Sequence, residues 1–71
     1  MRDRLVRALV RQKFVFSLKS GEAFEGILAD ADRMTLRLVS AALIQEHGQS
    51  SVDGELFIPR ADVLYMQKVG A

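Results

Sequence analysis

Cysteine and tryptophan are absent from these 71 residues, and histidine and proline occur once each. Disulfides are therefore excluded. A structural zinc site, which draws four ligands mainly from cysteine and histidine, has no ligand set either. No apolar run approaches the ~18 residues of a membrane-spanning helix. The opening MRDRLVRALVRQ is charged throughout and lacks the apolar segment of a secretory leader. An excess of one charge is missing as well. The formal net charge is +1, whereas domains that bind nucleic acid by bulk charge are usually strongly basic. The expected setting is the cytoplasm, or a particle assembled there, with no membrane, metal or cofactor.

These absences leave a problem of stability. A chain this short buries only about 60% of the surface that its unfolded form exposes. Small domains usually gain support from disulfides, a metal or oligomerisation, and only the last remains. Hydrophobic residues make up 49% of the chain, enough for a core and an interface. We expect one domain over 1–71.

Residues 3–12 read as a short helix. Asp3 is placed as N-cap, Leu5, Ala8 and Leu9 share one face, and Arg4, Arg7 and Arg11 lie on another. The helix fits as a plug on a small core with its arginines in water. From residue 13 the period changes. Phe14, Phe16 and Leu18 alternate with Val15, Ser17 and Lys19, as in a half-buried strand. Ser20-Gly21 reads as a hairpin turn. A second strand follows over 22–31, with Phe24, Gly26 and Leu28 on one face. A glycine inside a strand signals a sharp bend or a close backbone approach. Asp30 and Asp32 mark a polar corner. Residues 34–44 read as a long apolar strand whose second half suits burial on both faces, and 45–54 as a loop. Residues 56–58 form a short strand ended by Pro59, and 62–69 a last strand. A short N-terminal α-helix followed by five strands in a strongly bent antiparallel barrel over 13–69 would bury these alternating faces.

Leu18, Gly21, Phe24, Gly26, Leu28 and Asp32, closed by Leu36, follow the spacing of the first Sm motif. Ile58-Pro59-Arg60-Ala61-Asp62-Val63 stands where the second motif carries an apolar residue, Arg-Gly, two polar residues and a β-branched residue. The chain thus resembles the Sm/Sm-like (Hfq-like) family as a divergent member, from about residue 14 to 69. The resemblance implies a small SH3-like Sm-fold barrel in which Gly21, Phe24, Gly26, Leu28 and Asp32 are structural. It also implies a homo-oligomeric ring of five to eight subunits, in which the fourth strand of one subunit pairs with the fifth strand of the next. Leu56, Phe57, Ile58, Val63, Leu64, Tyr65 and Met66 would form that interface. Residues 56–58 and 63–66 carry neither the lysines nor the mid-strand prolines that blunt a free edge.

RNA-binding members hold a base between two loops, one with an asparagine after the motif aspartate and one with the Arg-Gly pair. Here the first loop is one residue shorter, with Thr35 nearest the asparagine slot, and Pro59-Arg60 replaces Arg-Gly. Arg33, Thr35 and Arg60 are the candidate RNA contacts. Asp32 reads more simply as a turn residue that accepts its own backbone N–H groups. Catalysis has little support: His47 stands in the polar segment beside Ser50 and Ser51 with no third group to orient it. The altered pocket favours a non-enzymatic ring that serves as a structural or interaction subunit with other proteins of a larger assembly, such as a phage particle. The alternative is an RNA-binding or RNA-chaperone ring.

Overall fold

The computed structural model describes residues 9–69. Six strands run in chain order: β1 (Lys13–Leu18), β2 (Ala23–Ala31), β3 (Thr35–Gln45), β4 (Gly48–Ser51), β5 (Leu56–Pro59) and β6 (Val63–Lys68). A 3-10 turn at Arg60–Asp62 joins the last two. All pairings are antiparallel. The sheet order is β4-β3-β2-β1-β6, and β5 pairs with β3 beyond β4.

Alternation builds the core. Phe14 and Phe16 point inward from β1, Leu28 from β2, Leu36, Leu38 and Ala41 from β3, and Ile58 from β5. The two phenylalanine rings meet tilted at 56°, with centroids 5.9 Å apart, a geometry that suits the aromatic quadrupole. Gly26 is buried where β2 crosses β3. A Cβ at that position would stand 3.2 Å from the Ala41 Cα and 3.2 Å from a Leu38 methyl. The missing side chain lets the two strands close and the sheet bend.

The expected helix over 3–12 needs correction. Residues 3–8 lie outside the described residues, and of those that are described only Leu9 is α-helical. At 9–12 the chain turns, with Arg11 at φ 74°. Its path is set by the sheet: Arg11 N–H donates to Leu28 O, and Gln12 O accepts the Leu28 N–H at 3.0 Å. These backbone groups extend the β1–β2 pairing, while Leu9 and Val10 pack on the core.

The five-strand count is corrected too. Residues 45–54 have the composition of a loop, but Gly48–Ser51 folds back on β3 with Gln45 opposite Gly48 and Ala42 opposite Ser51. Gly48, at φ 134°, permits the tight reversal. Val52 N–H still reaches Ala41 O at 2.8 Å. The chain then leaves the sheet and returns as β5, so β3 has two short partners along one side. The second half of β3 also differs from a strand buried on both faces. Ser40 has φ 52° and sits at a register shift opposite Gly26. This bulge resets the alternation, so Ala41 is buried and 42–44 are half-buried.

Candidate nucleic-acid interface and open sheet edges

Asp32 opens the turn between β2 and β3 and organises it. One carboxylate oxygen accepts the N–H groups of Met34 and Thr35, each at 2.8 Å. Asp32 N–H donates to Thr35 O at 3.0 Å. Arg60, at the end of β5, fastens this turn from the other side: its backbone N–H donates to Met34 O at 2.8 Å, and its guanidinium donates to Asp32 O. The candidate RNA contacts Arg33, Thr35 and Arg60 are therefore gathered around one turn. Arg33 is exposed, and Thr35 and Arg60 are half-buried.

The two backbone N–H bonds hold the Asp32 carboxyl below its ordinary pKa of 3.8 against some desolvation, with the smallest help from the Arg60 and Arg33 charges. A depressed pKa means that the carboxylate's hold on the turn is complete above 3.8 and is lost as pH falls through the lower value. The Met34 and Thr35 amide resonances should therefore titrate with a midpoint below pH 3.8. In Asp32→Ala that acid transition should vanish. A transition at or above 3.8 would contradict the arrangement.

Beside the turn lies an open cleft of about 270 Å³, lined by Asp30, Ala31, Asp32, Thr35, Arg37 and Phe57. Register creates it. Asp30 stands opposite Arg37, and Arg37 opposite Phe57. Leu36 and Leu38, on either side of Arg37, face the core, so these three side chains point outward. Arg37 pairs closely with Glu55 at 2.8 Å and loosely with Asp30 at 3.9 Å. Asp30, Met34 and Arg37 have no role in the site that the sequence suggests. No sequence signal marks Arg37, because the cross-strand partner of Asp30 depends on a register shift between Leu28 and Asp30.

The expected interface residues divide by face. Phe57, Leu64 and Tyr65 are 58%, 61% and 61% exposed, Ile58 is buried, and Leu56, Val63 and Met66 pack partly on the core. Met34, 74% exposed, completes the large exposed hydrophobics among the described residues. These residues lie along the open sides of the sheet or in the turn beside it. Among the described residues β5, like β4, pairs only with β3, and β6 only with β1, so each keeps one unpaired side. Phe57 lies on one edge, Leu64 and Tyr65 on the other, and Met34 in the turn bonded to Arg60. His47 occupies the β3–β4 hairpin tip with its side chain 96% exposed and the Glu46 carboxylate 3.9 Å from it. No group of acidic or histidine side chains among the described residues is arranged to hold a metal ion.

The same backbone path occurs in solved structures. A heptameric archaeal Sm protein superposes with TM-score 0.83 at 19% identity, over 94% of this chain and 98% of that one. This chain has an Sm-like fold. The Pyrobaculum aerophilum SmAP1 heptamer matches with TM-score 0.86 at 18% identity, covering 97% and 93% of the two chains. A Pyrococcus abyssi Sm protein solved in complex with a uridine heptamer matches with TM-score 0.82 at 21% identity, covering 97% and 99%. No protein-family model matches the sequence, and no curated protein matches it. The Sm-like barrel is therefore evident from structure at an identity where sequence comparison finds no family.

Proposed function

We propose that this Sm-like chain assembles into a homo-oligomeric ring of five to eight copies that binds single-stranded RNA, without enzymatic activity, in the cytoplasm. The observation that carries the reading is the joining of Arg33, Thr35 and Arg60 around the Asp32 turn, next to an unpaired, apolar sheet edge. Unpaired apolar edges recruit further strands, and a head-to-tail contact that closes makes a ring. Two of the similar structures are heptamers and one holds a uridine heptamer. They support RNA binding over the reading as a phage-particle component, which has no counterpart in them.

Within the ring, Arg33 and Arg60 supply positive charge for phosphates, and Thr35 a hydroxyl for a base edge. No aromatic side chain stands in the turn itself, so stacking contributes less than in aromatic-rich single-strand binders. Binding should therefore be salt-sensitive. Anisotropy with a labelled U-rich oligonucleotide should show affinity falling as salt rises. Arg33→Ala and Arg60→Ala should each flatten the log-log slope by about 0.7 for every phosphate that is no longer neutralised. Absence of binding at low salt would remove the RNA reading. A monomer by native mass spectrometry at micromolar concentration would remove the ring.

A further inference from the structure

Three outward side chains beside the Asp32 turn form a row across three strands. Asp30 in β2 stands opposite Arg37 in β3, and Arg37 opposite Phe57 in β5. The row spans two strand spacings, about 9.5 Å, the scale of one planar heterocycle. It lines the cleft next to the turn, and Thr35 belongs to both. The chemistry of the row suits such a ring. Phe57, 58% exposed, offers an aromatic face. Arg37 is held by Glu55 at 2.8 Å, so its planar guanidinium is pinned in place, and guanidinium planes stack on bases. The Asp30 carboxylate supplies acceptors alone. Its Oδ1 accepts the Ala31 N–H at 2.8 Å, whereas among the described residues Oδ2 has only the 3.9 Å ion pair with Arg37.

We propose that this cleft is a second RNA subsite and takes a guanine base. The base lies against Phe57 and Arg37, and its Watson–Crick N–H groups donate to Asp30. The inference rests on the RNA reading and adds a base preference that Arg33, Thr35 and Arg60 do not supply. An ionised carboxylate accepts and cannot donate, so it sorts bases by their donors. Guanine presents N1–H and N2–H side by side, which one carboxylate takes as a fork. Adenine and cytosine present one amino group beside a ring acceptor. Uracil presents one N–H between two carbonyl oxygens, and Asp30 repels both. The acidic wall also sets the orientation. Asp30 and Asp32 oppose a phosphate in the cleft, so phosphates stay on the Arg33 and Arg60 side of the turn while the uncharged base enters. A strand joining the free side of β5 would pair in the plane of the sheet, which leaves the outward row open. The cleft's volume of about 270 Å³ falls just short of the range of drug-sized ligand sites, so it suits a single base.

The test uses the full chain and anisotropy at low salt with two labelled probes, oligo(U) and the same oligonucleotide carrying one central guanosine. Wild type should bind the guanosine probe at least about fivefold more tightly, the lower end for a bidentate base contact. Both probes should show the same salt slope, because the base adds no phosphate contact. Inosine in place of guanosine lacks the N2 amino group and should lose much of the gain, a comparison that needs no variant. Far-UV circular dichroism checks the fold of each variant. Asp30→Asn should erase the preference. Removing one negative charge tightens all RNA alike, so the ratio of the two affinities is the readout. Arg37→Lys keeps a cation for Glu55 without the planar fork, and Phe57→Leu keeps an apolar wall without the ring. Each should lower the ratio. Equal wild-type affinity for the two probes overturns the proposal while the RNA reading stands. A preference that survives in Asp30→Asn, or that inosine retains in full, overturns it as well. No binding of either probe removes the RNA reading and this subsite with it.

Discussion

Leu38→Ala should remove about half of this protein's folding stability. Leu38 is fully buried, stands opposite Leu28 in β2 and Leu56 in β5, and has a methyl 3.2 Å from where a Gly26 side chain would begin. It thus fills the space opened by the glycine and stands between β2 and β5. Neither partner can relax into the gap without moving a strand, so the cavity persists. Leucine-to-alanine changes at such sites cost about 3–5 kcal/mol. A chain of this size has only about 4–10 kcal/mol in total. Urea titration at fixed protein concentration should show the midpoint falling by half or more. Leu38→Met, which keeps the volume, should cost less than about 1.5 kcal/mol. An unchanged midpoint for the alanine variant would mean that the core lies elsewhere.

The parts legible from sequence are those in which a residue's role is decided by its near neighbours. Phe14 and Phe16, or Leu36 and Leu38, alternate without interruption, so their inward face follows from a period of two. Gly26 announces a close approach, and the structure locates it against Ala41. The Asp32 turn is similarly local, because an aspartate can bond the backbone two and three residues on. The misses share another cause: they depend on what lies across the sheet. Arg11 and Gln12 have helical neighbours in sequence, yet their backbone groups are taken up by Leu28 in β2. Ser40 gives no signal of its positive φ, because the bulge answers the bend in the facing strand. Gly48–Ser51 is polar enough for a loop and becomes a strand because β3 extends far enough to receive it. The cleft is illegible for the same reason, since the pairing of Asp30 with Arg37 and of Arg37 with Phe57 exists only once two registers are set.

Leu64→Lys should convert the proposed ring into a 7.9 kDa monomer with a lower melting temperature. Leu64 lies on the unpaired edge of β6 and is 61% exposed in the single chain. A lysine there costs the isolated barrel almost nothing, because β6 remains paired to β1 on its other side. Within an edge-to-edge contact the same lysine would bring an unpaired charge against β5 and its apolar side chains, which is how natural sheets block edge pairing. Binding that stabilises only the folded state raises apparent stability by mass action, and its loss removes that increment. With about 2 kcal/mol or more per interface at stake, the melting temperature should fall by about 8–16 °C for a domain of this size. It should also cease to depend on protein concentration. Arg60 and the Asp32 turn are untouched by this change, so the proposed contacts to RNA should survive weakly in a single copy, while the gain from several linked copies disappears. A variant that remains a ring with an unaltered melting temperature would show that β6 is not the edge through which copies join.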